Sequence, residues 1–239
     1  MTEIKLSARL QAAADMALRG DGINKGAADI GTDHALLPVY LCQKGCPRAF
    51  ASDINEGPID RARANISKYG LSDRITAARR DGLDGIERFA PGVVIICGMG
   101  GELIADIISR SGYPAESKCR LVLQPMSMQD KLRRFLAVNG YAIYDETVVY
   151  DDGKYYQLIS AEYDGKPYAM TDAEYRLGQL NIARISGAPD ITDTDRGWLA
   201  KVRAAAKRRI EGRRGSEKTH QSEQTSDEEL VSLINRLID

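Results

Sequence analysis

From about Gly26 onward, short runs of apolar residues alternate with segments patterned for helix, and this rhythm restricts the chain to a small set of folds. An apolar run of four to six residues is long enough for one strand, and only a sheet covered by helices on both faces accepts strands with no polar face. Five such runs, Ala27 to Gly31, Ala49 to Ile54, Ile75 to Arg80, Val93 to Cys97 and Leu121 to Gln124, are expected as parallel strands. Helices are expected between them at Ala35 to Lys44, Pro58 to Tyr69, Gly101 to Arg110 and Met128 to Val138, with a further helix, Leu6 to Leu18, ahead of the first strand. The second helix of the alternating set carries Pro58 in its first turn and Gly70 just past its end, the usual asymmetry of helix boundaries.

After the fifth strand the pattern changes. Tyr141 to Tyr150 and Tyr155 to Tyr163 are long β-rich runs joined by Asp151-Asp152-Gly153-Lys154, and Asp-Gly between two such runs signals a hairpin. A mostly parallel sheet closed by an antiparallel hairpin is the layout of the seven-stranded Rossmann-like methyltransferase core, whereas the dinucleotide-binding dehydrogenase fold stays parallel. Beyond Gly165-Lys166-Pro167 the strands stop. Trp198, Val202 and Ile210 fall on one helical stripe and Leu230, Leu233, Ile234 and Leu237 on another, which predicts two helices packed antiparallel. The expected organisation is a methyltransferase domain over residues 1–165 and a helical domain over residues 166–239.

The motifs sit where this fold would use them. The first strand runs into Asp29-Ile30-Gly31-Thr32-Asp33-His34, where Gly31 permits close backbone approach to a ligand and Asp29 and His34 are polar groups beside it. Only one glycine is present, so the three-glycine dinucleotide fingerprint is missing. Asp53 ends the second strand, followed by Asn55, and its carboxylate offers two acceptors for the vicinal hydroxyls of a ribose. Asp81-Gly82-Leu83 follows the third strand, where methyltransferases of this class hold the adenine edge, and it turns the reading toward S-adenosylmethionine. The fourth strand ends in Cys97-Gly98-Met99-Gly100-Gly101, an open floor on which a flat acceptor can lie. The Asn/Asp-Pro-Pro-aromatic motif common in amino-group methyltransferases of nucleic acids is absent at this point. The turn after the first strand, the Asp81-Gly82 pair and the glycine run of the fourth strand have bland counterparts, respectively a capped turn, a common Asp-Gly turn and a tight strand-to-helix connection, and it is the combination of motifs that points to a donor site.

Charge is segregated along a chain whose net charge is only -1. Arg196 to Arg214 holds eight basic residues against Glu211 alone, a balance of +7, while Gly215 to Asp239 carries -4. Two readings follow: a surface for a polyanion, or a helix hairpin whose arms neutralise each other. Two histidines and four scattered cysteines (Cys42, Cys46, Cys97, Cys119) give no metal-ligand pattern, and buried reduced thiols are expected. With 43% apolar and 28% charged residues, and no apolar stretch long enough to span a bilayer, the expectation is a cytoplasmic globular protein compatible with a monomer.

The runs LSARL, DIGTDHALLPVYL, ASDINEGPIDRAR, RDGLDGI, ICGMGGELIADII, LQPM and DDGKYYQLISAEY together resemble the bacterial tRNA (adenine-22, N1)-methyltransferase family over about residues 4 to 163. The resemblance implies methyl transfer from S-adenosylmethionine to adenine N1 in the D-arm region of tRNA, releasing S-adenosylhomocysteine without a metal. It also implies a Rossmann-like core bearing a helical, coiled-coil-like C-terminal domain. The donor site so implied is Asp29, Gly31, His34, Asp53, Asn55, Asp81 and Gly82, with Gly98, Met99 and Gly100 beside the target base. For RNA the sequence offers Lys5 and Arg9 at the first helix and Lys207, Arg208, Arg209 and Arg213 in the basic stretch. A methyltransferase of small molecules or proteins shares every donor motif, and a non-catalytic RNA-binding protein on the same core is the rival from another class.

Overall fold

The computed structural model describes residues 4–213 and 221–238. They fall into two compact units, Met1–Tyr168 and Ala169–Asp239. The first is built on a seven-stranded sheet ordered β3-β2-β1-β4-β5-β7-β6. Its strands are β1 (Ala27–Ile30), β2 (Ala49–Asp53), β3 (Ile75–Arg79), β4 (Val93–Gly100), β5 (Arg120–Ser127), β6 (Tyr141–Asp151) and β7 (Lys154–Tyr163). The first five run parallel, and β7 pairs antiparallel with both β5 and β6. All seven strands anticipated from the sequence are present. Asp152 and Gly153 form the hairpin loop, both with positive φ (45° and 75°), as the two-residue turn that matches strand twist requires.

Helices α1 (Ala8–Leu18), α2 (Leu36–Gln43) and α3 (Glu56–Lys68) cover one face, and α4 (Gly101–Ser109), α5 (Tyr113–Ser117) and α6 (Gln129–Val138) the other. Strand β4 explains why its sequence has no polar alternation. Val93 and Ile95 point into the core beneath α1 and α2, Val94 and Ile96 into the core beneath α4 and α6, and all four are fully buried. At about 25 cal/mol per Å² of apolar surface, such two-sided burial is the main stabilisation of the sheet.

The strand order sets the location of any ligand. From β1 the chain proceeds outward to β2 and β3, then returns to β4 on the other side of β1, so the connections leaving β1 and β4 diverge. The crevice at the carboxyl ends of such a pair is where open α/β sheets bind ligands.

The second unit contains α7 (Asp172–Leu177), α8 (Gln179–Ser186), α9 (Asp193–Arg213) and α10 (Gln221–Ile238). Two of these helices were expected. The other two, α7 and α8, are six and eight residues long and are split by Gly178, too short to leave a stripe in the sequence. A capping box starts α7: Glu174 N–H donates to Thr171 Oγ1 at 3.2 Å, and Thr171 N–H donates to Glu174 Oε2 at 2.7 Å. Helices α9 and α10 pack antiparallel, with Arg196 reaching the Ile238 carbonyl at one end and Arg213 reaching Glu223 at the other. Trp198, Leu199 and Ala206 on α9 and Leu230 and Ile234 on α10 are buried, as are Tyr175, Leu177 and Ile185 of the two short helices.

Candidate active site

At the end of β1, Gly31 adopts φ +80°, and the N–H groups of Gly31 and Thr32 both donate to the Ser52 carbonyl at 2.8 Å. The tip of Met99 lies so close over Gly31 that no Cβ would fit there. This sharp exit opens a cavity of about 370 Å³ whose walls include Arg9, Asp29, Gly31, His34, Cys97 and Gly98. Asp29 is buried. Burial pushes its carboxyl up to about 6, against a lowering by the Thr32 hydroxyl and the positive charge of Arg9 and a further rise from Asp53. Burial, with Asp29 adding to it, also pushes the Cys97 thiol up to about 12, so the cavity holds a neutral thiol. His34 stands half-exposed beside Asp33, with Nε2 3.2 Å from a carboxylate oxygen, while Arg61 holds the other oxygen of Asp33.

At the end of β2, Asp53 accepts the Asn55 N–H on Oδ1 at 2.7 Å and leaves Oδ2 uncommitted. Ile54 follows with 55% of its surface exposed, an apolar side chain at the carboxyl end of the sheet beside Arg79, Arg80 and Asp81. Beyond β3, Asp81 is engaged on both oxygens by Arg110, from Nη1 at 3.1 Å and Nη2 at 3.2 Å. Those hydrogen bonds hold its carboxyl below the ordinary range. Asp81 and Gly82 are therefore present at the strand end, but the Asp81 carboxylate is shared with an arginine that the sequence did not pair with it.

The glycine-rich end of β4 departs from expectation. The strand continues through Gly100 with register shifts against β5 on either side of Met99, so the segment is a bulged strand and not an open turn. Gly98 is exposed, whereas Met99 packs against the core beneath α4 and α6 as well as over Gly31. Gly101 begins α4 so close to the Met128 carbonyl that any side chain would collide with it. Next to this strand, Gln124 on β5 is fully buried; its Oε1 accepts from Arg9 Nη1 at 2.6 Å and its Nε2 donates to the Pro125 carbonyl at 3.0 Å. Sequence reasoning gave no role to Gln124, Ile54 or Arg110. A lone Gln inside the apolar run LVLQP was the available signal for the first, since a buried amide needs a partner.

Residues 6–159 match the family described as "Methyltransferase domain". The tRNA (adenine(22)-N(1))-methyltransferase of Bacillus subtilis strain 168 is 35% identical over 181 residues, covering 75% of this chain and 74% of that protein. The chain belongs to the tRNA (adenine(22)-N(1))-methyltransferase family. Among solved structures, the Bacillus subtilis m1A22 tRNA methyltransferase superposes with a TM-score of 0.79 at 28% identity, covering 99% of this chain and 100% of that one. The Streptococcus pneumoniae protein Sp1610 in complex with S-adenosyl-L-methionine superposes with a TM-score of 0.78 at 26% identity, covering 98% and 100%.

The basic residues expected to meet RNA are placed in three ways. Lys5, Lys207 and Arg208 are exposed. Arg9, expected with Lys5 to face RNA, lines the cavity with Asp29 and donates to Gln124. Arg209 and Arg213 converge with Arg176 on Asp227, a fully buried carboxylate on α10. Burial alone would raise Asp227, and the hydrogen bonds from Arg209, Arg176 and Arg213 together outweigh it, bringing the carboxyl down to about 2. Two further cations of α9 serve within the unit, Arg203 on Asn235 at 2.9 Å and Arg196 on the Ile238 carbonyl at 3.2 Å. The expected pairing of the basic and acidic arms thus accounts for Arg209 and Arg213. Arg214 and the residues from Gly215 to His220, including Glu217, lie outside the described residues.

Proposed function

We propose that this chain transfers a methyl group from S-adenosylmethionine to N1 of adenine 22 in tRNA, with S-adenosylhomocysteine as the other product. The observation that carries the reading is the pair of carboxylates, Asp29 and Asp53, at the ends of the neighbouring strands β1 and β2 around Gly31, within a chain of this kinship. The donor set fits an adenosyl amino acid. Asp53 offers a free oxygen to the ribose hydroxyls, Asn55 fixes the other oxygen through its main chain, and exposed Ile54 presents an apolar surface to a purine. Asp81, which lines a cavity with Ile54, and the adjoining Gly82 serve the adenine end, and Gly31 and His34, which line the cavity at β1, serve the amino-acid end.

When bound, the donor supplies an electrophilic methyl on a sulfonium, whose carbon–sulfur bond breaks as the bond to N1 forms. Adenine N1 has a free lone pair at neutral pH, so no side chain has to create the nucleophile, and the protein's contribution is alignment. Gly98, Met99 and Gly100 border the acceptor position, where bare backbone leaves room for a flat base. Because N1 lies on the pairing edge, the base must be unpaired or swung out before it can be methylated. Lys5, Lys207 and Arg208 contact phosphates of the tRNA, and a tRNA substrate supports a cytoplasmic protein. None of the described helices is long and apolar enough to cross a membrane.

The test is incubation with labelled S-adenosylmethionine and unmodified tRNA, followed by digestion. The expected product is 1-methyladenosine at position 22. Label in protein or small molecules alone, or in another base, overturns the reading.

A further inference from the structure

The segment Pro125-Met126-Ser127-Met128 leaves β5 beside the glycine-rich end of β4 and takes no part in the donor site. Met99 stands opposite Pro125 and Gly100 opposite Ser127, so Met126 is an extra residue with no partner across the ladder. A bulge of this kind re-aims a side chain. Met126 is 46% exposed, and its sulfur accepts from Gln124 Nε2 at 3.6 Å. Gln124 is itself held by Arg9, whose main-chain N–H donates to Asp151 Oδ2 at 3.0 Å. Met128 breaks two local rules at once. It occupies the N-cap of α6, where a short polar side chain normally satisfies the first N–H groups, and no side chain caps this helix. Its backbone is left-handed, with φ 55° and ψ 41°, a conformation that strains any residue with a Cβ and favours glycine. The side chain is nevertheless 48% exposed, so core burial does not offset the strain.

We infer that Met126 and Met128 form an apolar rest for the nucleobases flanking the methylated adenine, and so act as positioning residues for the acceptor. The inference rests on the tRNA reading above. An adenine presented with its pairing edge free leaves a flat apolar face uncovered on its neighbours, and covering such a face stabilises the state that reacts. A thioether suits this task, being polarizable, unbranched and without a donor that needs a partner. Met99 is unsuited to it, because its side chain packs against the core and over Gly31. The two exposed methionines are continuous with the acceptor floor: Ser127 between them pairs with Gly100, and the Met128 carbonyl lies against Gly101, too close to admit a side chain there. The patch is also too small for a protein partner. With Leu103 in the first turn of α4 it offers three exposed apolar side chains, whereas a stable protein interface takes about 20 to 30 residues a side.

The experiment compares the full-length protein with Met126→Gln, Met128→Gln and Met128→Gly on two substrates: unmodified tRNA, and the same tRNA carrying abasic residues on both sides of adenine 22. On intact tRNA each variant should lower kcat/KM about 2- to 10-fold, the range for a sulfur–aromatic contact, while S-adenosylhomocysteine binding by calorimetry stays within about twofold. On abasic tRNA the unaltered protein should fall toward the variants, and the variants should lose little more, because the contact has already been removed. Met128→Gly gives a readout that a structural role would not: glycine relieves the left-handed backbone, so the melting temperature should hold or rise as activity falls. The inference is overturned if the variants methylate intact tRNA at the unaltered rate, or if they lose as much on abasic tRNA as on intact tRNA. It is also overturned if their loss of activity is matched by a loss of donor binding, which would make the methionines structural. Sedimentation showing that the unaltered protein self-associates and that the Gln variants do not would assign the patch to a second copy of the chain and overturn it too. Absence of methylation at adenine 22 by the unaltered protein would instead overturn the tRNA reading itself.

Discussion

Asp29 and Asp227 are both closed off from water, and the chain treats them in opposite ways. Asp227, in the helical unit, receives Arg176, Arg209 and Arg213 and is drawn down to about 2. Asp29, in the sheet unit, has one hydroxyl and an unpaired arginine across a cavity, and is pushed up to about 6. A saturated carboxylate holds helices together; an undersupplied one is kept ready for something that arrives from outside. The difference teaches how to sort the arginines of this chain, which composition alone treats as equivalent.

The largest effect should come from breaking the saturated site. Asp227→Ala leaves three guanidinium groups without their shared partner and should destabilise the protein by about 3 to 5 kcal/mol in urea unfolding. Because its folded value is depressed, the contribution of Asp227 is fully present above the unfolded carboxylate value near 4 and is lost as pH falls through about 2. A midpoint that does not move on substitution would put this cluster in the same class as exposed pairs.

The undersupplied site should respond with the opposite sign. The folded value of Asp29 is raised, so the ligand-free protein binds the proton more tightly than the unfolded chain and gains stability as pH falls from about 6 toward 4. At neutral pH a carboxyl raised to about 6 amounts to roughly 3 kcal/mol of destabilisation, so Asp29→Asn should stabilise the ligand-free protein by up to that amount while weakening donor binding. Parallel melting curves of the two proteins between pH 4 and 7 would remove Asp29 from this role.

The smallest effect on stability is expected at the exposed cations. Lys207→Gln with Arg208→Gln should leave the melting temperature unchanged and flatten the dependence of log tRNA affinity on log salt by about two units. Arg209→Gln with Arg213→Gln should do the reverse, lowering stability because both side chains reach Asp227. If both pairs change the slope equally, the separation of structural from phosphate-binding arginines is wrong.

Much of this organisation was legible in the sequence. All seven strands, the hairpin turn and the strand-end positions of Asp29, Gly31, Asp53 and Asp81 followed from apolar run length and turn chemistry, which are local properties. What the sequence left out depends on distant residues. The direction of Arg9 is set by Gln124 and Asp151, 115 and 142 residues further along, and nothing in LSARL distinguishes an inward arginine from an outward one. The bulged path of β4 around Met99 arises from its register against β5, so the glycines looked like an open turn. The division of the basic stretch likewise depended on where α10 places Asp227, a tertiary fact hidden within a run of charge.

The bond from the Arg9 N–H to Asp151 has a consequence in time. A ribosome adding 5 to 20 residues per second needs about 7 to 28 s to travel the 142 residues between them, and β6 and β7 must then pair before Asp151 is in place. Until that moment the first helix of the chain has emerged but lacks its distal anchor. The mouth of the cavity is consequently among the last features of the sheet unit to be completed during synthesis, although one of its walls is made well before the hairpin that anchors it.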